Sequence, residues 1–165
     1  AMKIAIERIT YRDIDKAITL IDRIEKHIGF TEKTRHQLVN NIALRAMLKE
    51  KKSAQLALSH ITWHELNTAK QEQILRHLVT INQWATISEL YMAHYQVVDV
   101  PLEWQYWYAT SLEKLGNKET ANTLYSEIAK KRRYYGFLAS DKLGQDYNML
   151  PIYTTFNMFR IIVNQ

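Results

Sequence analysis

Residues 104–129 read WQYWYATSLEKLGNKETANTLYSEIA, and this stretch decides the fold. Trp104, Trp107, Tyr108, Ser111, Leu112 and Leu115 recur at steps of three and four, which predicts one face of a helix. Gly116 then supplies a C-terminal stop and Asn117 a cap, after which Ala121, Leu124, Tyr125, Ile128 and Ala129 form a second stripe. Two helices joined by so short a turn run antiparallel with their stripes facing each other. The offsets of Leu115-Gly116, Ala121 and Tyr125 are tetratricopeptide-like: a small Ala lets two helices approach, and the aromatic fills the gap beside it. No second copy at a 34-residue period stands out in the residues.

Working outward, the same periodicity continues in both directions. Towards the N-terminus, Thr10 and Asp13 read as a cap pair for a single helix carrying Ile14, Ala17, Ile18, Ile21, Ile24 and Ile28 and ending near Gly29. Thr31 caps the next, with Leu38, Val39, Ile42, Ala43, Ala46 and Met47 as its stripe, and Ser53 caps a short helix through Leu58. Thr62 and Glu65 have capping-box spacing before a helix with Leu66, Ala69, Gln73, Ile74, Leu78 and Ile81, and Trp84, Ile87, Leu90 and Tyr91 begin another. Trp63, Trp84 and Trp104 mark a helix-plus-connection rhythm rather than a repeat. The segment 96–101, ending in Pro101, predicts a change of direction. Past the hairpin, helices are expected from Tyr134 to Leu143, closed by Gly144, and from Ile152 to Val163. The fold class is therefore all-α, an antiparallel array of helix hairpins.

Composition agrees. Of 165 residues only four are Gly and two Pro, too few for the tight turns of an all-β chain, and 47% are hydrophobic, enough for a sizeable core. The absence of Cys excludes disulfides and thiolate metal sites. No apolar run approaches the roughly 18 residues needed to span a bilayer, and the start of the chain lacks a signal-peptide pattern. Ala1-Met2 reads as a cloning remnant or an internal cut. A net charge of +5 biases the chain weakly towards anionic partners.

Trp104, Trp107 and Ala109, then Leu112, Gly116, Ala121 and Leu124, followed by Tyr134, Tyr135, Gly136, Phe137, Leu143, Gly144 and Tyr147, make the chain resemble the helical region of soluble lytic murein transglycosylases. The resemblance implies a superhelical array, with a helical U-domain-like segment over residues 1–100 and linker (L) domain-like helices, truncated, over 101–165. It further implies a periplasmic parent enzyme that cleaves the bond between N-acetylmuramic acid and N-acetylglucosamine. The partners it implies are the parent's own catalytic domain and, with it, peptidoglycan glycan strands. That family's catalytic Glu is followed by Ser, and no Glu-Ser pair occurs here, so no catalytic residue is carried over. The expected role is a non-catalytic scaffold without cofactor. The alternative is a free-standing tetratricopeptide-like interaction module.

Three constellations remain to be weighed. His60 and His64 have two-His metal spacing if one helix holds both, but Thr62 reads as a cap between them, and no metal site is expected. Lys130, Lys131, Arg132 and Arg133 precede Tyr134 and Tyr135 in a pattern that nucleic-acid modules also use. Their simpler reading is a helix end whose cations meet the negative end of the dipole, with contact to an anionic glycan or peptide as the functional alternative; nucleic acid is not expected. Tyr106, off the predicted stripe, is the aromatic expected to be exposed for sugar stacking, whereas Trp107 and Tyr108 are expected to pack. Helix faces left open by missing domains are also compatible with a homo-oligomer.

Overall fold

A computed structural model describes residues 1–49, 58–95 and 100–149. Helices α1 (Met2–Arg12), α2 (Ile14–Ile18), α3 (Ile21–Glu25), α4 (Glu32–Leu48), α5 (Thr68–Thr80), α6 (Trp84–His94), α7 (Leu102–Lys114), α8 (Lys118–Ala129) and α9 (Tyr134–Leu143) follow one another among the described residues, with a 3₁₀ turn at Trp63–Glu65. There is no strand among the described residues. The chain divides into two compact units, Ala1–Gln83 and Trp84–Gln165. The helix expected after Ser53 and the last helix expected over 152–163 lie outside the described residues.

In the first unit α4 is the hub. It packs on α1, α2, α3 and α5, and its buried residues Leu38, Val39, Asn40, Ile42, Ala43, Leu44, Ala46 and Met47 cover more than one face. Thr31 caps it as expected, its Oγ1 accepting the Thr34 N–H at 3.3 Å. The buried polar residue on this helix, Asn40, is fully engaged: its Oδ1 accepts the Thr62 N–H at 2.9 Å and its Nδ2 donates to the Thr62 carbonyl at 3.2 Å. A side-chain amide thus pairs with a peptide group as a neighbouring strand would, tying the segment before the 3₁₀ turn to α4.

The expected single helix over residues 14–28 is broken in two. Thr19 Oγ1 donates back to the Lys16 carbonyl at 2.8 Å, and the chain turns at Thr19-Leu20 before α3. Ile14, Ala17, Ile21 and Ile24 still reach one core because their steps of three and four survive the break, while Ile28 is 97% exposed. Thr10 is not a cap. It lies in the last turn of α1, buried, and donates to the Ile6 carbonyl at 2.8 Å, whereas Asp13 alone caps α2 by accepting the Lys16 N–H. Thr62 likewise precedes the 3₁₀ turn, and Asn67 caps α5.

In the second unit α7 packs on α6, α8 and α9. Its turn to α8 has the expected geometry: the Gly116 N–H donates to Glu113 and the Asn117 N–H to Leu112, with Gly116 at φ +93°. This is a Schellman ending, and Asn117 Oδ1 then accepts the Thr120 N–H at 3.4 Å to start α8. Ala109 and Ala121, both fully buried, share a core with Tyr106, Tyr125, Ile128 and Ala139. Leu115, expected on the buried face, is 52% exposed.

The 34-residue recurrence missing from the sequence reading is present in the helix boundaries. Thr68 and Leu102 begin α5 and α7, and Trp84 and Lys118 begin α6 and α8; both intervals are 34 residues. Asn82, at φ 56°, ends α5 with the same pair of backbone bonds that Gly116 uses, and it too lies 34 residues before its counterpart. Leu78 and Leu112, Leu90 and Leu124, and Tyr91 and Tyr125 are identical at this spacing.

Two glycines are required for different reasons. At Gly136, a Cβ would overlap the Lys131 carbonyl oxygen and come within 3.1 Å of the Ile128 carbonyl oxygen. At Gly116 a Cβ meets nothing, and only the left-handed backbone disfavours a side chain. Gly136→Ala is therefore expected to cost about 3 kcal/mol, the upper range for overpacking. Gly116→Ala should cost about 1–2 kcal/mol, the penalty for a left-handed residue with a Cβ. Urea denaturation of both variants checks the order, and equal losses would refute the steric account of Gly136.

Candidate functional site

The residues singled out from the sequence converge on α7, α8 and α9. Trp104 is buried with its ring 4.9 Å from Tyr95. Trp107 is half-buried against the core that contains Ala109 and Ala121. Tyr135 lies in the first turn of α9, and its hydroxyl donates to Glu103 Oε1 at 2.8 Å across to α7. Phe137 packs edge-on to Tyr147, Leu143 closes the same core, and Gly144 ends α9 at φ +62°. These residues pack the helices against one another.

Tyr106 reverses the expectation made for it. It is only 6% exposed, with its ring 5.3 Å from both Trp107 and Tyr135 and 5.7 Å from Tyr125. The sequence pattern assigned α7 one buried stripe, but α6 covers one side and α8 and α9 another, so the buried arc is wider and takes in Tyr106. A sugar cannot stack on this ring without opening the core.

Around these aromatics lies a polar network that periodicity did not reveal. Tyr125 donates to Glu113 Oε2 at 2.8 Å, and its oxygen lies 3.0 Å from Thr110 Oγ1. Lys142 Nζ, from α9, reaches the same Glu113 oxygen at 2.7 Å. The Lys142 hydrogen bond holds the Glu113 carboxyl below the usual carboxylate range, outweighing its partial burial. Such a carboxylate stays ionised and is the opposite of a general acid, which needs its proton held at neutral pH. Burial, then the Glu103 bond, pushes the Tyr135 phenol up to about 12.

The basic run does not occupy the last turn of α8, as the dipole reading required. The helix ends at Ala129, Lys130 is its C-cap, and Lys131 to Arg133 form the bend into α9. Lys130 Nζ bonds Glu127 Oε1 at 2.6 Å, while Lys131, Arg132 and Arg133 form no ion pair among the described residues. The bend is held by its backbone: the Arg133 N–H donates to the Lys131 carbonyl at 2.8 Å, and Asn148 Nδ2 donates to the Lys130 carbonyl at 2.8 Å.

His60 and His64 do not share a helix face. His60 precedes the 3₁₀ turn and its Nδ1 lies 3.0 Å from Glu25 Oε1; His64 sits in that turn with its ring 6.3 Å from His36. Asp22, Glu25 and His60 bring their ligand-type atoms within 4.8 Å of one another on the surface of the first unit. The hydrogen bond between His60 and Glu25 accounts for that proximity.

No protein-family model and no curated protein matches the sequence. Among solved structures, the fold class defined above, an all-α array of sequential hairpins, is met in a lytic transglycosylase. The match is to the X-ray structure of an inactive mutant of Slt from Pseudomonas aeruginosa, with a TM-score of 0.70 and 22% identity over 99% of this chain. The resemblance expected from the sequence is thus found in the fold. The chain spans 27% of the length of that protein.

Because Glu113 has a lowered pKa in the folded state, its contribution to stability is complete above the ordinary carboxylate range and is lost as pH falls through that range to the folded value. The Tm gap between the wild type and Glu113→Gln is therefore expected to be widest near neutral pH and to close as pH falls through and below the ordinary carboxylate range. A gap that stays constant with pH would refute the ionic role of Glu113.

Proposed function

We propose that this chain is a helical, non-catalytic scaffold of a periplasmic lytic transglycosylase, its parent cleaving the N-acetylmuramic acid to N-acetylglucosamine bond of peptidoglycan. The observation that carries the reading is the likeness in fold along nearly the whole chain to about a quarter of Slt. In this reading residues 1–100 correspond to the U-type helices and 101–165 to the linker helices. Packing residues such as Trp104, Ala109, Ala121 and Gly136 then serve shape rather than chemistry, in keeping with their burial. No helix among the described residues is long and apolar enough to cross a membrane. The chain's partners would be the parent's catalytic domain and glycan strands, the latter met by exposed cations such as Lys130 and Arg132 rather than by Tyr106.

The 34-residue recurrence favours a second reading, a tetratricopeptide-like module that holds a protein partner on helix faces. Co-sedimentation with purified murein sacculi separates the two. Under the scaffold reading the chain sediments with sacculi, releases no anhydromuropeptide, and is displaced by glycan strands stripped of peptide. A chain that stays in the supernatant and also fails to bind a lysozyme-like domain from the same gene would remove the scaffold reading.

A further inference from the structure

Lys131 and Arg133 share a cleft of about 680 Å³ with Val100, Pro101, Leu102, Gln105 and Glu127, entirely within the second unit. We infer that this cleft binds the carboxylate end of a peptide, with the two cations holding the carboxylate and Val100, Pro101 and Leu102 receiving an aliphatic side chain beside it. The inference goes beyond the scaffold reading and does not depend on it.

Charge and shape together support it. Glu127 is paired with Lys130 at 2.6 Å, and Lys131 and Arg133 form no ion pair among the described residues. Guanidinium and ammonium groups at a cleft are matched by a carboxylate, and Arg presents a planar fork suited to both its oxygens. The backbone beneath them is fixed, because the Lys131 carbonyl accepts from Arg133 and sits against Gly136, which leaves no room for the bend to shift. The opposite wall is also fixed: Gln105 Nε2 donates to the Val100 carbonyl at 2.7 Å. Val100, Pro101 and Leu102 contribute aliphatic side chains to the lining, and no aromatic ring lines the cleft among the described residues. Sugars bind proteins largely by stacking on aromatic faces, so the cleft suits a peptide better than a glycan. Arg132, between the two cations in sequence, does not line the cleft and serves as an internal control.

Titration of the whole chain with N-acetyl-dialanine, followed by amide chemical shifts, tests the assignment. The free acid should move the signals of Val100, Leu102 and Lys131, and its C-terminal amide should bind at least about tenfold more weakly, a loss of roughly 1.4 kcal/mol. Lys131→Gln with Arg133→Gln should weaken the acid by at least about tenfold, as expected for charge-assisted bonds, while Arg132→Gln leaves binding unchanged. All three substitutions fall on exposed side chains, and an unaltered Tm confirms folding. Equal affinity for acid and amide, an equal effect of Arg132→Gln, or displacement by acetate as effective as by the peptide would each overturn the proposal. So would preferential binding of a chitin trisaccharide in the same cleft.

Discussion

Helix α7 is covered on two sides, and the second unit depends on that constraint. A helix between neighbours cannot keep a polar face at the point of contact, so it must bury Trp104 on one side and Tyr106, Ala109 and Thr110 on another. The bulk of these aromatics would hold the helices apart were it not for Ala109 and Ala121, which have no surface left exposed. Tyr125 brings a hydroxyl into the same layer, and burial of that group without a partner would be costly; Glu113 supplies the acceptor, and Lys142 balances the charge so introduced. The polar network is thus a consequence of the packing, each member answering a need created by the previous one.

Several local signals in the sequence were sound because adjacent residues decide the feature, although Thr10 and Thr62 do not cap the helices expected of them. Gly116, Asn117, Thr31 and Gly144 act as the helix ends and caps their identities suggest, since a left-handed terminator or a capping oxygen works within one turn. Features set by distant contacts were not legible. Tyr106 was placed in solvent because one stripe was assumed for a helix with two covered sides, and Asn40 passed unnoticed because its partner, Thr62, lies 22 residues away. The break at Thr19 was hidden because isoleucine spacing runs through it undisturbed. Gly136 carried a family signal, but the reason for glycine, the Lys131 carbonyl pressed against it, exists only once α8 has bent into α9.

For the candidate site, the basic run was visible as charge but its division was not. Four consecutive cations look equivalent in sequence. In the fold one is neutralised by Glu127, two share a cleft and one stands apart, because a bend sends successive side chains in different directions. The likeness to Slt concerns the fold and leaves this division to be explained by the chain's own residues.

The matched intervals from Thr68 to Leu102 and from Trp84 to Lys118 also bear on how such a chain tolerates changes in length. Inserting one residue within a helix turns everything beyond it by about 100°, which would swing a buried stripe into water. Inserting or removing a full interval of 34 residues returns each helix face to its original heading. Descendants of this sequence are therefore expected to vary in length by whole steps, while the interior of each step resists the loss or gain of even a single residue.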